Sequence, residues 1–240
     1  SHVRKDRVEA LLKLLQDDNL KVASLAMEQI LNLGNDAQEI VDEYANAPNA
    51  RLRSRIHQLK DVLSGRRARQ RVLDSINNEE IDLWEGVLEI NRLHNPDFSF
   101  SAVNEEVAIV CNNMDTQGRT PTTADVADFM WEQGFTVPDE DMLDTELYLP
   151  DCVVSFKYGA AVVLCAFTYH LGKSIGWPCS IVLHEGRFCL AAEDNLILDP
   201  TDRWKVKRPE AGKNLHECNT KQIWLGIISQ LFLVSMMEGN

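Results

Sequence analysis

The chain has 240 residues, 45% of them apolar and 25% charged, with a net charge of −13. That is room for one large domain or two small ones around a buried core, and it excludes a disordered or fibrous chain. No stretch reaches the ~20 apolar residues of a membrane span, so no membrane partner is expected.

The charge is unevenly spread. Residues 1–76 carry a net +2 and the remainder −15, a field that opposes nucleic acid over most of the surface. Six cysteines (Cys111, Cys152, Cys165, Cys179, Cys189, Cys218) form no CxxC pair. They suit small apolar fillers in a reducing, cytoplasmic setting better than a disulfide frame or a zinc site, and no metal or cofactor is expected. Ser1-His2 reads as the remnant of an expression tag, and no signal-peptide pattern follows it.

Residues 1–76 contain one aromatic residue, Tyr44, and divide into helices. Leu11, Leu12, Leu14 and Leu15 line an apolar face before a break at Asp17-Asp18-Asn19. Val22, Ala26, Ile30 and Leu33 follow at helical spacing and stop at Gly34. Leu52, Ile56, Leu59 and Leu63 repeat the pattern and stop at Ser64-Gly65. The repeat of about 30 residues is similar to a pair of HEAT-like helical hairpins, which two copies alone seldom stabilise; a plain helical subdomain is the alternative. Arg51, Arg53, Arg55, Arg66, Arg67, Arg69 and Arg71 cluster here. They form either a solvated face or a surface for phosphates or an acidic partner protein. No aromatic residues interleave them, as a single-strand nucleic-acid binder would require.

From Ile81 the texture changes. "IDLWEGVLEINRLHN" predicts a helix ended by Asn95-Pro96. "FSAVNEEVAIVCNNM" predicts another, and "TPTTADVADFMWEQGF" a third, opened by threonine caps and ended by Gly134. After an acidic linker, "VPDEDMLD", the run Ala160–Tyr169 is apolar on all sides and predicts a buried helix. The segments "SIVLH", "RFCLAA" and "NLILDP" then predict short strands of an antiparallel meander, with tight turns at Glu185-Gly186 and Glu193-Asp194-Asn195. A terminal helix, Thr220–Met237, closes the core. The fold class expected is α+β and mostly helical, with a helical extension over 1–76 and a second domain over 77–240.

A helix that opens on a glycine and feeds a sheet is the plan of papain-like and transglutaminase-like enzymes. In these a cysteine in the first helical turn is ionised by the helix N-terminus, and a histidine and an aspartate follow on adjacent strands. Residues 81–237 resemble the SirB family of transglutaminase-like proteins, a bacterial family. The motifs that carry this are Gly134-Phe135, Val153-Val154 with Lys157 and Gly159, Ile175-Gly176-Trp177-Pro178, and Leu198-Asp199-Pro200. The resemblance implies a helix-and-sheet core and a catalytic triad, and most of that triad is not retained. The nucleophile position falls on Ala161, the base on Arg187 and the acid on Asp199. Alanine cannot attack, and a guanidinium is no general base near neutral pH.

Three functions follow from these residues. The first is a catalytically silent transglutaminase-like protein that acts as an interaction or regulatory module, its partner another protein held by the helical extension. The second is a cysteine hydrolase or acyl transferase using Cys165 with His184 or His170. Cys165 lies one turn beyond Ala161, while His184, three residues before Arg187, is expected on the opposite face of its strand. The third is a small-anion or small-ligand module at Arg187 and Asp199, near backbone N–H groups left accessible by Gly159; the alternative is that the two form an ion pair across neighbouring strands that only fixes the sheet. The isolated "GKS" at Gly172–Ser174 lacks the upstream glycine of a phosphate loop and falls inside the helix.

Overall fold

The computed structural model describes residues 2–78, 81–95, 97–139, 143–211 and 215–238, without the side chains of 2, 3, 35, 64–73 and 75–78. The architecture is α+β and mostly helical, as the patterning predicts. The chain divides into two compact units. One comprises Ser1–Val72, Asp139–Asp144 and Leu231–Asn240, and the other Leu73–Pro138 and Thr145–Gln230.

The first unit is built from α1 (His2–Leu15), α2 (Leu20–Leu31), α3 (Asn35–Tyr44), the earlier part of α4 (Ala50–Asn78) and the end of α10 (Thr220–Met237). The break at Asp17-Asp18-Asn19 is a helix start: the Asn19 side chain accepts hydrogen bonds from the Lys21 and Val22 amides at 2.9 and 3.4 Å. Leu11, Leu15, Met27, Ile30, Ile56 and Leu59 meet in one core, which Leu233 of α10 completes. Two expectations are corrected. Leu14 points outward and is 44% exposed, because Leu11, Leu12 and Leu15 already fill the buried stripe. Helix α4 runs on through Ser64-Gly65 to Asn78. A single helical glycine costs only about 1 kcal/mol, and the arginine-rich segment after it favours helix.

In the second unit, α5 (Leu83–His94), α6 (Phe100–Asn113) and α7 (Thr123–Glu132) each start at a side-chain cap. Asp82 and Ser99 cap the first two, and Thr122 with Asp125 forms a reciprocal capping box before α7. A 3-10 turn (Thr145–Tyr148) and α8 (Pro150–Phe156) lead to α9 (Ala161–Ile175). Every residue of α9 from Val162 to Thr168 is buried, as its all-round apolar sequence requires. Gly172 lies inside α9, where a Cβ would stand 2.4 Å from the Trp177 carbonyl oxygen. The first part of α10 seats Trp224 in a notch at Gly86, where a Cβ would come within 2.1 Å of the indole. Trp224 Nε1 donates to the Leu83 carbonyl at 3.0 Å.

The sheet comprises β1 (Cys179–His184), β2 (Arg187–Ala192), β3 (Ile197–Asp199), β4 (Lys205–Lys207) and β5 (His216–Glu217), in the order β4-β3-β2-β1-β5 and antiparallel throughout. Glu185 (φ +52°) and Gly186 (φ +76°) make the two-residue turn between β1 and β2. Register puts Val182, Cys189 and Ile197 on one face as a small cluster, with Ala191 and Leu215 against it. Strands β4 and β5 were not anticipated. The turn into β4 holds two successive left-handed residues, Arg203 (φ +53°) and Trp204 (φ +58°), each costing about 1–2 kcal/mol. Burial of the Trp204 ring and its 2.8 Å hydrogen bond to the Phe135 carbonyl hold that turn in place.

Candidate functional site

Ala161 is the first residue of α9, in the first turn of the buried helix that the apolar run predicts. The segment before it is closed rather than open. Gly159 N–H donates to the Thr136 carbonyl at 3.1 Å and Ala160 N–H to the Leu147 carbonyl at 2.9 Å. The expectation that Gly159 leaves its amide free for an anion is therefore corrected. Its glycine is required by packing, since a Cβ would stand 2.5 Å from a Val153 methyl.

Arg187 and Asp199 do come together. Arg187 opens β2 and Asp199 ends β3 on the same face of the sheet, and Nη2 lies 3.4 Å from Oδ2. Asp199 is fully buried, and its carboxylate is surrounded by donors. Lys207 Nζ reaches Oδ2 at 2.9 Å, while the Thr201 amide and hydroxyl donate to Oδ1 at 3.0 and 2.6 Å. Burial and the same carboxylate raise the nearby Cys189 thiol. Burial alone would raise Asp199, but the hydrogen bonds from Thr201 and Lys207 and the charges of Lys207 and Arg187 outweigh it. They hold the group below the usual carboxylate value.

The cluster extends outward. Lys207 also bonds Asp202 at 2.9 Å, Lys205 stands 3.8 Å from Asp202, and Arg187 lies 3.6 Å from Glu185. Hydrogen bonding to Lys207 lowers Asp202; for Lys207 the same bonds to Asp199 and Asp202 outweigh burial and raise it. Three cations (Arg187, Lys205, Lys207) thus face three carboxylates (Glu185, Asp199, Asp202), and no net charge remains to recruit an anion.

Cys165 is completely buried. Burial pushes its thiol far up, and the nearby Cys189, Cys179, Asp199 and Cys218 push it the same way; neither histidine is among the groups that act on it. Burial likewise pushes Cys179 up to about 12, and burial together with Asp199 takes Cys189 to about 12. These directions are opposite to those of a reactive cysteine.

His184 pairs directly across from Arg187, so both side chains leave the same face of the sheet. This corrects the expectation of opposite faces, which counted along one strand where the chain turns at Glu185-Gly186. His184 Nδ1 is buried with no partner among the described residues. His170 stacks on Trp84 with centroids 5.7 Å apart, and burial lowers its pKa.

The arginine group is partly used internally. Arg51 pairs with Asp18 and donates to the Gln16 carbonyl at 3.3 Å. Arg53 donates to the Ala47 carbonyl at 3.0 Å, and Arg55 to the Met237 sulfur at 2.9 Å. The side chains of Arg66, Arg67, Arg69 and Arg71 lie outside the described residues.

Sequence reading missed Lys207 and Thr201 as partners of Asp199, and Asp202 as the second carboxylate that Lys207 holds. The alternation in "KVK" was the one available signal, and it says nothing of the diagonal reach from β4 to β3. Among the described residues no three His, Cys, Asp or Glu side chains are placed to hold a metal ion, and no helix is long and apolar enough to cross a membrane. Comparison with protein-family models, with curated proteins and with solved structures finds no match.

Proposed function

We propose that this chain is a catalytically silent transglutaminase-like protein, related to the SirB type, that acts in the cytoplasm by binding another protein. The observation that carries this reading is the saturated carboxylate of Asp199. A triad acid must have a lone pair free to orient a base. Here its acceptors are taken by Thr201, Lys207 and Arg187, and Arg187 stands where the base would be. Six cysteines without a disulfide support a reducing compartment.

A hydrolase built on Cys165 draws less support, because its thiol is buried and pushed away from ionisation. An anion site at Arg187 draws less, because its charge is already balanced.

The test is the rate of iodoacetamide alkylation at each cysteine against pH, read by mass spectrometry on the folded protein. The expected result is that Cys165 stays unmodified until denaturant is added, while the half-buried Cys111, Cys152 and Cys218 react first. Rapid modification of Cys165 with an apparent pKa below the free-thiol value of about 8.5 would overturn the silent reading.

A further inference from the structure

Strand β4 ends the sheet, with β3 on one side and no strand on the other. The register fixes which of its backbone groups are used. The two-residue turn makes His184 and Arg187 a hydrogen-bonded pair, so Arg187, Cys189 and Ala191 bond β1, and Phe188, Leu190 and Ala192 face β3. The bond from the Ala192 N–H to the Leu196 carbonyl, at 3.1 Å, follows this alternation. Leu198 therefore bonds back to Leu190, while Ile197 and Asp199 turn to Lys207 and Lys205. Val206, between those two lysines, sends its N–H and C=O away from β3.

Among the described residues neither group of Val206 has a hydrogen-bond partner. Helix α7 packs against β3 as well as β4, which places it over the sheet rather than beyond the edge. Lys205 and Val206 leave opposite faces of the strand, and both are exposed, so the edge is open on either side.

The segment is also locally basic. Residues 203–208, "RWKVKR", hold four cations and no carboxylate, in a chain of net charge −13. Lys205 and Lys207 are engaged by Asp202 and Asp199. Arg203 and Arg208 lie outside that balanced cluster; both are exposed, with no ion-pair partner among the described residues.

We propose that β4 is a docking edge for an extended acidic segment of a partner protein. The segment pairs with Val206 as a further strand and sets its carboxylates against Arg203 and Arg208. The proposal rests on the reading of the chain as an interaction protein and names a surface and a partner class for it. Charge complementarity selects this occupant. A second copy of the edge would bring cations against cations, the arrangement by which edge strands avoid one another. Nucleic acid offers phosphates but no peptide groups to answer Val206. In strand addition the main chain supplies the pairing, and the flanking charges supply the preference.

The test is fluorescence anisotropy of a labelled eight-residue peptide of alternating glutamate and valine, titrated with the full chain at two salt concentrations. The same peptide N-methylated at its four central residues, which keeps the charge and removes donors from both edges, is run beside it. The expected result is saturable binding by the unmodified peptide that weakens with salt, and binding at least tenfold weaker by the methylated one. Kd should also rise at least tenfold in Val206→Pro, which removes the outward N–H but no bond to β3, and in Arg203→Gln/Arg208→Gln, each with native circular dichroism. Lys221→Gln, which removes a cation at the start of α10, should leave Kd unchanged.

Equal binding by the methylated peptide, by Val206→Pro or by the double arginine variant would overturn the proposal, as would no saturable binding by the wild type up to ~500 µM. Displacement of the peptide by an eight-nucleotide single strand at equal concentration would overturn it too, and assign the edge to nucleic acid. These results leave the silent-protein reading standing, because that reading falls only if Cys165 reacts.

Discussion

Replacing Asp199 with asparagine isolates the buried network. The substitution keeps the shape of the side chain and lets its oxygen go on accepting from Thr201. It also puts an NH2 group where Oδ2 receives Lys207 at 2.9 Å and Arg187 at 3.4 Å, so donors face donors and two cations lose a buried counter-charge. Removing one partner of a buried ion pair costs about 3–5 kcal/mol. The low end applies here, because Lys207 retains Asp202 and Arg187 is 39% exposed and retains Glu185. A loss of about 3 kcal/mol lowers Tm by roughly 6–12 °C in a unit of this size.

Tryptophan emission is the right assay, since Trp84, Trp131, Trp177, Trp204 and Trp224 all lie in the unit that holds Asp199 and the other unit has none. The pH dependence has a fixed sign. Asp199 is held below its ordinary value, so its contribution is complete above the unfolded-chain pKa of ~3.9 and is lost as pH falls through the folded value. The gap between wild type and Asp199→Asn should therefore be full at pH 7 and narrow below about pH 4. A variant that melts within ~1 °C of wild type at pH 7, or a gap unchanged in acid, would refute the argument that this cluster is structural.

Two further outcomes follow from local geometry. Gly159→Ala drives a methyl against Val153 and should cost about 1–3 kcal/mol by urea denaturation; Val153→Ala in the same chain should recover part of it, and additivity of the two losses would sink the clash. Burial, with Lys173 adding to it and Asp82 opposing, holds His170 below its ordinary value; stability should therefore be flat above ~6.5 and fall as pH drops from there toward the folded value. His170→Phe, which can still stack on Trp84, should remove that slope in a Tm-against-pH series, and an unchanged slope would assign it elsewhere.

What could be read in the chain was what repeats locally. The apolar run after Gly159 could only be a buried helix, and "SIVLH" and "RFCLAA" around Glu185-Gly186 could only be a hairpin. Leu14 was misplaced because four leucines in five residues cannot all face one core, and sequence does not say which is left out. Gly65 was taken for a stop, yet a glycine ends a helix only where the chain after it turns away, and here good helix formers follow.

The site was legible at Asp199 and Arg187 and illegible around them. Lys207 reaches Asp199 only because Arg203 and Trp204 adopt left-handed conformations that nothing in "DPTDRWKVK" announces, and Trp204 is held there by Phe135, 69 residues away. His184 was assigned to the wrong face by the same gap: a two-residue turn converts neighbours in sequence into partners in register.

The last helix has a consequence for synthesis. Trp224 fills the notch at Gly86 in one unit, and Leu233 completes the leucine core of the other. A ribosome delivers these residues after nearly everything they pack against, so neither unit can close its core while the chain is still emerging. Both must wait with apolar surface uncovered until α10 leaves the exit tunnel, a delay that exposes the nascent chain to aggregation and to chaperone capture. Ribosome-stalled chains ending before residue 220 should accordingly remain sensitive to protease throughout, whereas stalling well beyond α10 should confer protection on both units together.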